Sequence, residues 1–121
     1  MSTFAALALA LFLTTTALAH FALPAYFTSL VPAWLARPGL FVVGSALAEL
    51  GTAALLLTPG TRAVGGWTAV GLLAAFQVSH VDAARHTRTR SGILHRTGGV
   101  VARLVVNAGY IAWAAAVART A

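Results

Sequence analysis

Of the 121 residues, 60% are hydrophobic and 8% charged, whereas about a quarter of positions are charged in a soluble domain, so lipid is the solvent for most of these side chains. A crossing takes about 20 residues, so the chain has room for one domain of four membrane helices with short connections, and none for a soluble catalytic domain or a receptor ectodomain. There is no cysteine, and the net charge of +6 comes from arginine alone, which excludes disulfides, thiol catalysis and thiolate metal sites and assigns the basic charge to a cytoplasmic loop at anionic lipid rather than to nucleic acid.

The first predicted span runs over residues 4–19, apolar apart from Thr14, Thr15 and Thr16. Ala17-Leu18-Ala19 has the small-x-small form of a signal-peptidase site, but no basic residue precedes it, so the segment reads as a retained span. Residues 20–37 carry Pro24 and Pro32, with Pro38 next, and Phe21, Tyr26, Phe27 and Trp34 between them. Proline interrupts regular helix and Trp and Tyr favour the head-group level, which predicts a short interfacial or re-entrant segment between helices 1 and 2. The second span is predicted over 39–57, ended by the turn signal Thr58-Pro59-Gly60. The third, over 63–81, follows so closely that the two form an antiparallel hairpin. Residues 82–97 read as a basic loop with His86, His95 and a turn at Ser91-Gly92, and the fourth span covers 98–118. The fold class is therefore all-α, an integral membrane four-helix bundle. Arg37, Arg85, Arg88, Arg90 and Arg96 share one side of the membrane, against Arg62 and Arg119 on the other. The positive-inside rule then places both termini outside the cytoplasm.

Helical spacing gathers the polar residues of the spans into stripes. Ser45, Glu49 and Thr52 share one face of the second span, which should point into the bundle, with Gly44, Ala48 and Gly51 beside them as close-packing positions, as Gly71 and Ala75 are on the third. Arg103, Asn107 and Tyr110 share a face of the fourth span, Gln77 and His80 of the third, and Thr16 and His20 of the first. At 1.5 Å per residue, Glu49 lies about 15 Å and Arg103 about 7.5 Å from the loop-side ends of their spans. A wedge of polar groups thus runs from the level of His20, His80 and Asp82 to Glu49 near the midplane. A carboxylate and a guanidinium in hydrocarbon each cost about 2.5–3.5 kcal/mol even on the lenient insertion scale. Two explanations stay open: an Arg103 pair with Glu49 or Asp82 that locks the helices, or a site for a ligand with a polar head and an apolar body, such as a quinone or a lipid, with His80 and Arg103 as donors and Glu49 as proton acceptor. Two histidines without a ligand spacing are weak grounds for haem or a metal. Tyr26, Trp34, Trp67, Tyr110 and Trp113 read as boundary anchors and packing groups.

His20-Phe21, Pro24, Tyr26-Phe27, Leu30-Val31-Pro32, Trp34-Leu35, Gly44 and Glu49-Leu50, followed by Leu55-Leu56-Leu57, Thr61-Arg62, Gly66-Trp67, Arg103-Leu104, Asn107 and Ile111-Ala112-Trp113, resemble the DoxX-like family of small four-helix bacterial membrane proteins. The resemblance covers about His20 to Trp113. It departs at Gln77-Val78-Ser79-His80-Val81-Asp82, where relatives tend to carry a Pro-Ala-Asn turn, and at Asn107, where a glutamine is usual. It implies the bacterial cytoplasmic membrane and a link to thiosulfate:quinone oxidoreduction through one archaeal membrane subunit. The expected role is a non-catalytic accessory subunit of a membrane redox assembly, with a quinone as the possible cofactor, and with lipids and a membrane protein or a second copy as partners. Small multidrug-resistance exporters also combine four short helices with one embedded glutamate, but theirs lies in the first span, which here has none. A purely structural assembly module is the third reading. As an isolated enzyme the chain offers no nucleophile with an adjacent base, no metal motif and no nucleotide loop.

Overall fold

The computed structural model describes residues 2–85 and 97–121. The predicted turn at Ser91-Gly92, both loop histidines His86 and His95, and Arg88, Arg90 and Arg96 lie outside the described residues.

Helix α1, Ser2–Ala22, is apolar on nearly every side. Its three threonines are accommodated by bonding back to their own helix: Thr14 Oγ1 donates to Ala10 O at 2.8 Å, Thr15 to Leu11 O at 2.8 Å and Thr16 to Leu13 O at 3.0 Å. In lipid, where no water is at hand, this is how a hydroxyl escapes the penalty of an unmade bond. Pro24, which has no N–H to give, opens the short helix α2, Pro24–Leu30, at the position where its fixed φ costs nothing. The interfacial segment expected here is thus partly helical, and α2 packs against α1, the third helix and the fourth.

Helix α3, Pro38–Leu57, again begins at a proline. Arg37, which precedes that proline, is the one described non-glycine residue with positive φ, at 56°. Helix α3 ends at Thr58 and a single tight turn over Pro59–Thr61 leads into α4, Arg62–Arg85. Two side chains take up carbonyls left open at the end of α3: Thr61 Oγ1 donates to Leu55 O and Arg62 Nε to Leu56 O, each at 2.9 Å. Such caps stand in for the intrahelical donors that a helix end lacks. Helix α4 runs past the expected end at residue 81, so Asp82 is helical and 6% exposed rather than part of a loop. Helix α5 covers Thr97–Thr120.

Helices α1, α3, α4 and α5 are each long and apolar enough to cross a bilayer, and the protein is a small multi-pass membrane protein built as an all-α four-helix bundle. Around the bundle the order is α1, α3, α4, α5, with the α1/α3 and α4/α5 pairs most extensive and α5 closing on α1 more loosely. Ala6, Leu9 and Leu13 of α1 meet Ala53 and Leu56, Ala69 and Leu73, and Ala114 and Val117 in one dry core. This core lies toward the 59–61 turn and the termini and reaches the middle of the bundle at Leu13 and Leu73.

One expectation about packing needs correction. Gly44, Gly51 and Gly71 are exposed, and a Cβ at any of them would meet nothing within 4 Å; Ala48 and Ala75 are exposed as well. Gly44, Ala48 and Gly51 each precede an inward polar residue, and one residue is about 100° of helix, so turning Ser45, Glu49 and Thr52 inward turns these outward. The close approaches occur elsewhere. A Cβ on Gly66 would stand 2.6–2.7 Å from Ala118, and one on Gly65 2.9 Å from the Leu56 backbone nitrogen. Trp113 is a packing group, half-buried, donating to Ala5 O at 3.1 Å with its ring 6.0 Å from that of Phe12.

Candidate functional site

In the other half a cavity of about 440 Å³ lies between the four helices, covered by α2 and residues 31–35. Helix α1 contributes Phe12, Thr16 and His20; α3 contributes Phe41, Val42, Ser45 and Glu49; α5 contributes Asn107 and Tyr110. Helix α4 supplies a longer wall from Leu72 to His80, including Phe76. Aliphatic and aromatic side chains dominate, with a few convergent polar groups, which is the usual make-up of a small-molecule site.

The polar groups are arranged as two clusters. On one side stands Glu49, 2% exposed, with Thr52 below it at 1%. Thr52 bonds back to Ala48 O at 2.7 Å, so it has nothing to offer the carboxyl. His20 Nδ1 lies 3.6 Å from Glu49 Oε2, but it is only 2.6 Å from Thr16 O. A carbonyl oxygen can only accept, so Nδ1 carries the hydrogen and directs it at Thr16. Glu49 Oε2 is left without a hydrogen bond. A long contact to His20 and the side-chain interaction with Thr16 leave Oε2 open and do not offset about 2.5–3.5 kcal/mol of burial. The carboxyl is therefore not explained as a structural lock.

On the other side, α4 and α5 are joined by a ladder. Asn107 Nδ2 uses one hydrogen on Leu73 O at 2.9 Å and the other on Gln77 Oε1 at 2.8 Å, and Gln77 Nε2 reaches Leu104 O at 3.3 Å. One step further out, Arg103 Nε donates to His80 Nδ1 at 3.0 Å. A ring nitrogen that accepts from a guanidinium carries no hydrogen, so His80 is neutral with its proton on Nε2. Inter-helical bonds of this kind contribute about 0.6 kcal/mol each in membrane proteins, enough to set register but not to hold the bundle. Helix α2 is tied in from above: the Phe27 ring stacks on His20 at 3.9 Å and 19°, and Ser79 Oγ donates to Leu30 O across from α4.

Of the residues singled out from the sequence, His20, Glu49, His80, Asn107 and Tyr110 share the cavity. Gln77 and Arg103 stand behind that wall and orient Asn107 and His80. Asp82 is elsewhere, lining a second pocket of about 330 Å³ with Trp34, Gln77 and Arg85. Glu49 and Arg103 thus stand beside different histidines, Glu49 near His20 and Arg103 on His80. Missed from the sequence were the rings of Phe12, Phe27, Phe41 and Phe76. Stripe analysis follows polar residues and leaves aromatic ones among the general apolar background, although the spacing of Phe12, Thr16 and His20 on α1 carried the signal. Among the described residues no three His, Asp or Glu side chains gather as a metal-ligand set.

The chain belongs to the family described as a domain of unknown function, DUF8561, whose profile matches residues 9–118. No curated protein and no solved structure was found to match it.

Proposed function

We propose that this DUF8561 protein is a DoxX-like accessory subunit of a membrane redox assembly, in the bacterial cytoplasmic membrane with both termini outside, and that the cavity between its helices holds a quinone- or lipid-like ligand. The observation that carries the reading is Glu49: a carboxyl oxygen with no hydrogen bond, in a bundle core, on the wall of a cavity large enough for a ring and part of a chain. A residue that costs stability and is not repaid by its neighbours is retained for a ligand or a proton. The chain's own part is to bind and orient, with Asn107, Gln77 and Arg103 stiffening the wall opposite Glu49. Proton-coupled export of hydrophobic compounds is the second reading, favoured by the same buried carboxyl.

Native mass spectrometry of the protein, extracted from its own membrane in mild detergent, tests this. A bound isoprenoid quinone or a stoichiometric membrane partner is expected, and loss of the small molecule in Glu49→Leu. A bare chain carrying only bulk lipid, unchanged by Glu49→Leu, would remove the accessory reading and leave export to be tested by proton-driven efflux from vesicles.

A further inference from the structure

The donors and acceptors around the cavity narrow the chemistry of what it holds. Glu49 Oε2 is the open valence, and its chemistry depends on whether the carboxyl carries a proton: it accepts when ionised and can donate when neutral. A quinone carbonyl, a carboxylate or a phosphate satisfies only the protonated form. An ammonium, which only donates, is paired in charge by the ionised form and leaves the O–H of the neutral form unused. A hydroxyl both donates and accepts, so it satisfies Glu49 in either state without a change of pose. Across the cavity, His80 is held by Arg103 Nε with its hydrogen on Nε2, a donor that suits an oxygen.

The rest of the lining selects for a ring. Phe12, Phe27, Phe41, Phe76 and Tyr110 come from five different elements, and such rings make favourable offset or edge contacts with a planar aromatic head beyond the area they bury. The outlet is equally specific. Phe41 of α3 and Val78 of α4 line the cavity and yet are 45% and 47% exposed, so the cavity opens sideways, between α3 and α4, onto the face that meets lipid.

Resting on the reading of the cavity as a ligand site, we infer that it takes a neutral amphiphile with a hydroxylated aromatic head, a phenol or hydroquinone, whose hydroxyl bonds Glu49 and whose apolar tail leaves between Phe41 and Val78 into the bilayer.

The test is equilibrium binding to the full chain in phosphatidylcholine nanodiscs, corrected against protein-free discs, with para-nonylphenol, para-nonylanisole, dodecanoate and dodecylamine as probes. The anisole differs from the phenol by losing the donor alone. The phenol is expected to bind at least about tenfold more tightly than the anisole, with the gap closing in Glu49→Leu and both chain-bearing ions binding more weakly. Val78→Trp should weaken para-nonylphenol but spare unsubstituted phenol. If Glu49→Leu does not fold, the phenol and anisole contrast on the wild-type chain decides alone. Equal binding of phenol and anisole overturns the hydroxyl assignment while the cavity remains a ligand site. Preference for dodecylamine or dodecanoate overturns it too, the amine in favour of export. Binding of no probe above empty discs overturns both this inference and the ligand-site reading beneath it. If Val78→Trp leaves both phenols unaffected, the sideways outlet is wrong.

Discussion

The two halves of this bundle use the same four helices for opposite ends. Toward the turn and the termini, Leu9, Leu13, Leu56 and Val117 are 0–1% exposed and fill the interior with hydrocarbon, and Gly66 lets the backbones of α4 and α5 approach to a distance that no Cβ fits. Toward the other surface the interior is a cavity with Glu49 and His20 on one wall and His80 and Asn107 on the other. Lipid is as apolar as leucine, so the packed half gains its stability from close contact rather than from leaving water. The open half gives up those contacts and adds the cost of a buried carboxyl. Close packing and the cavity with its buried carboxyl are thus set apart along the bundle axis.

Mutations at the two ends should change stability in opposite directions. The largest effect belongs to the packed half: Leu56→Ala removes contact where nothing can collapse inward, and about 2 kcal/mol of stability should go with it, at the low end of the soluble-core range because the transfer term is small in lipid. Gly66→Ala, with its Cβ against the Ala118 backbone, should follow at about 1–3 kcal/mol. Both are read by thermal unfolding in detergent. Glu49→Leu should have the reverse sign, leaving the midpoint unchanged or higher while ligand binding is lost; a midpoint lowered as much as in Leu56→Ala would make Glu49 a lock after all. Asn107→Leu should cost about 0.6–1.7 kcal/mol, the range of single inter-helical bonds. The smallest effect on stability belongs to Phe27→Ala, which removes the ring covering His20; its signature is faster ligand exchange at an unchanged midpoint.

How far the sequence could be read follows the same division. Four spans and the hairpin were legible because apolar runs of crossing length and the Thr58-Pro59-Gly60 turn are strong local signals. The inward face of α3 was legible from Ser45, Glu49 and Thr52, since polar atoms in lipid must turn toward other polar atoms. Partners were not. Helical spacing places Glu49 and Arg103 at related depths, but which histidine each meets depends on the order of helices around the bundle, and that order is not written in any one span. Asp82 reads as loop in the sequence because it is the first charge after an apolar run, whereas the helix continues one more turn. The composition of α3 points its small residues inward, and geometry sets them one residue out of phase with the polar stripe.

The capped turn between α3 and α4 has a mechanical meaning. Thr61 and Arg62 grip the last carbonyls of α3, and Gly65 seats α4 against Leu55 and Leu56, so the two helices are joined as tongs are joined, rigid at the pivot and separable at the tips. Phe41 lies about 22 Å along α3 from Leu56 at 1.5 Å per residue. A tilt of about 5° at the pivot therefore parts the tips by roughly 2 Å over that length, while the packed core beside the pivot moves by a small fraction of that.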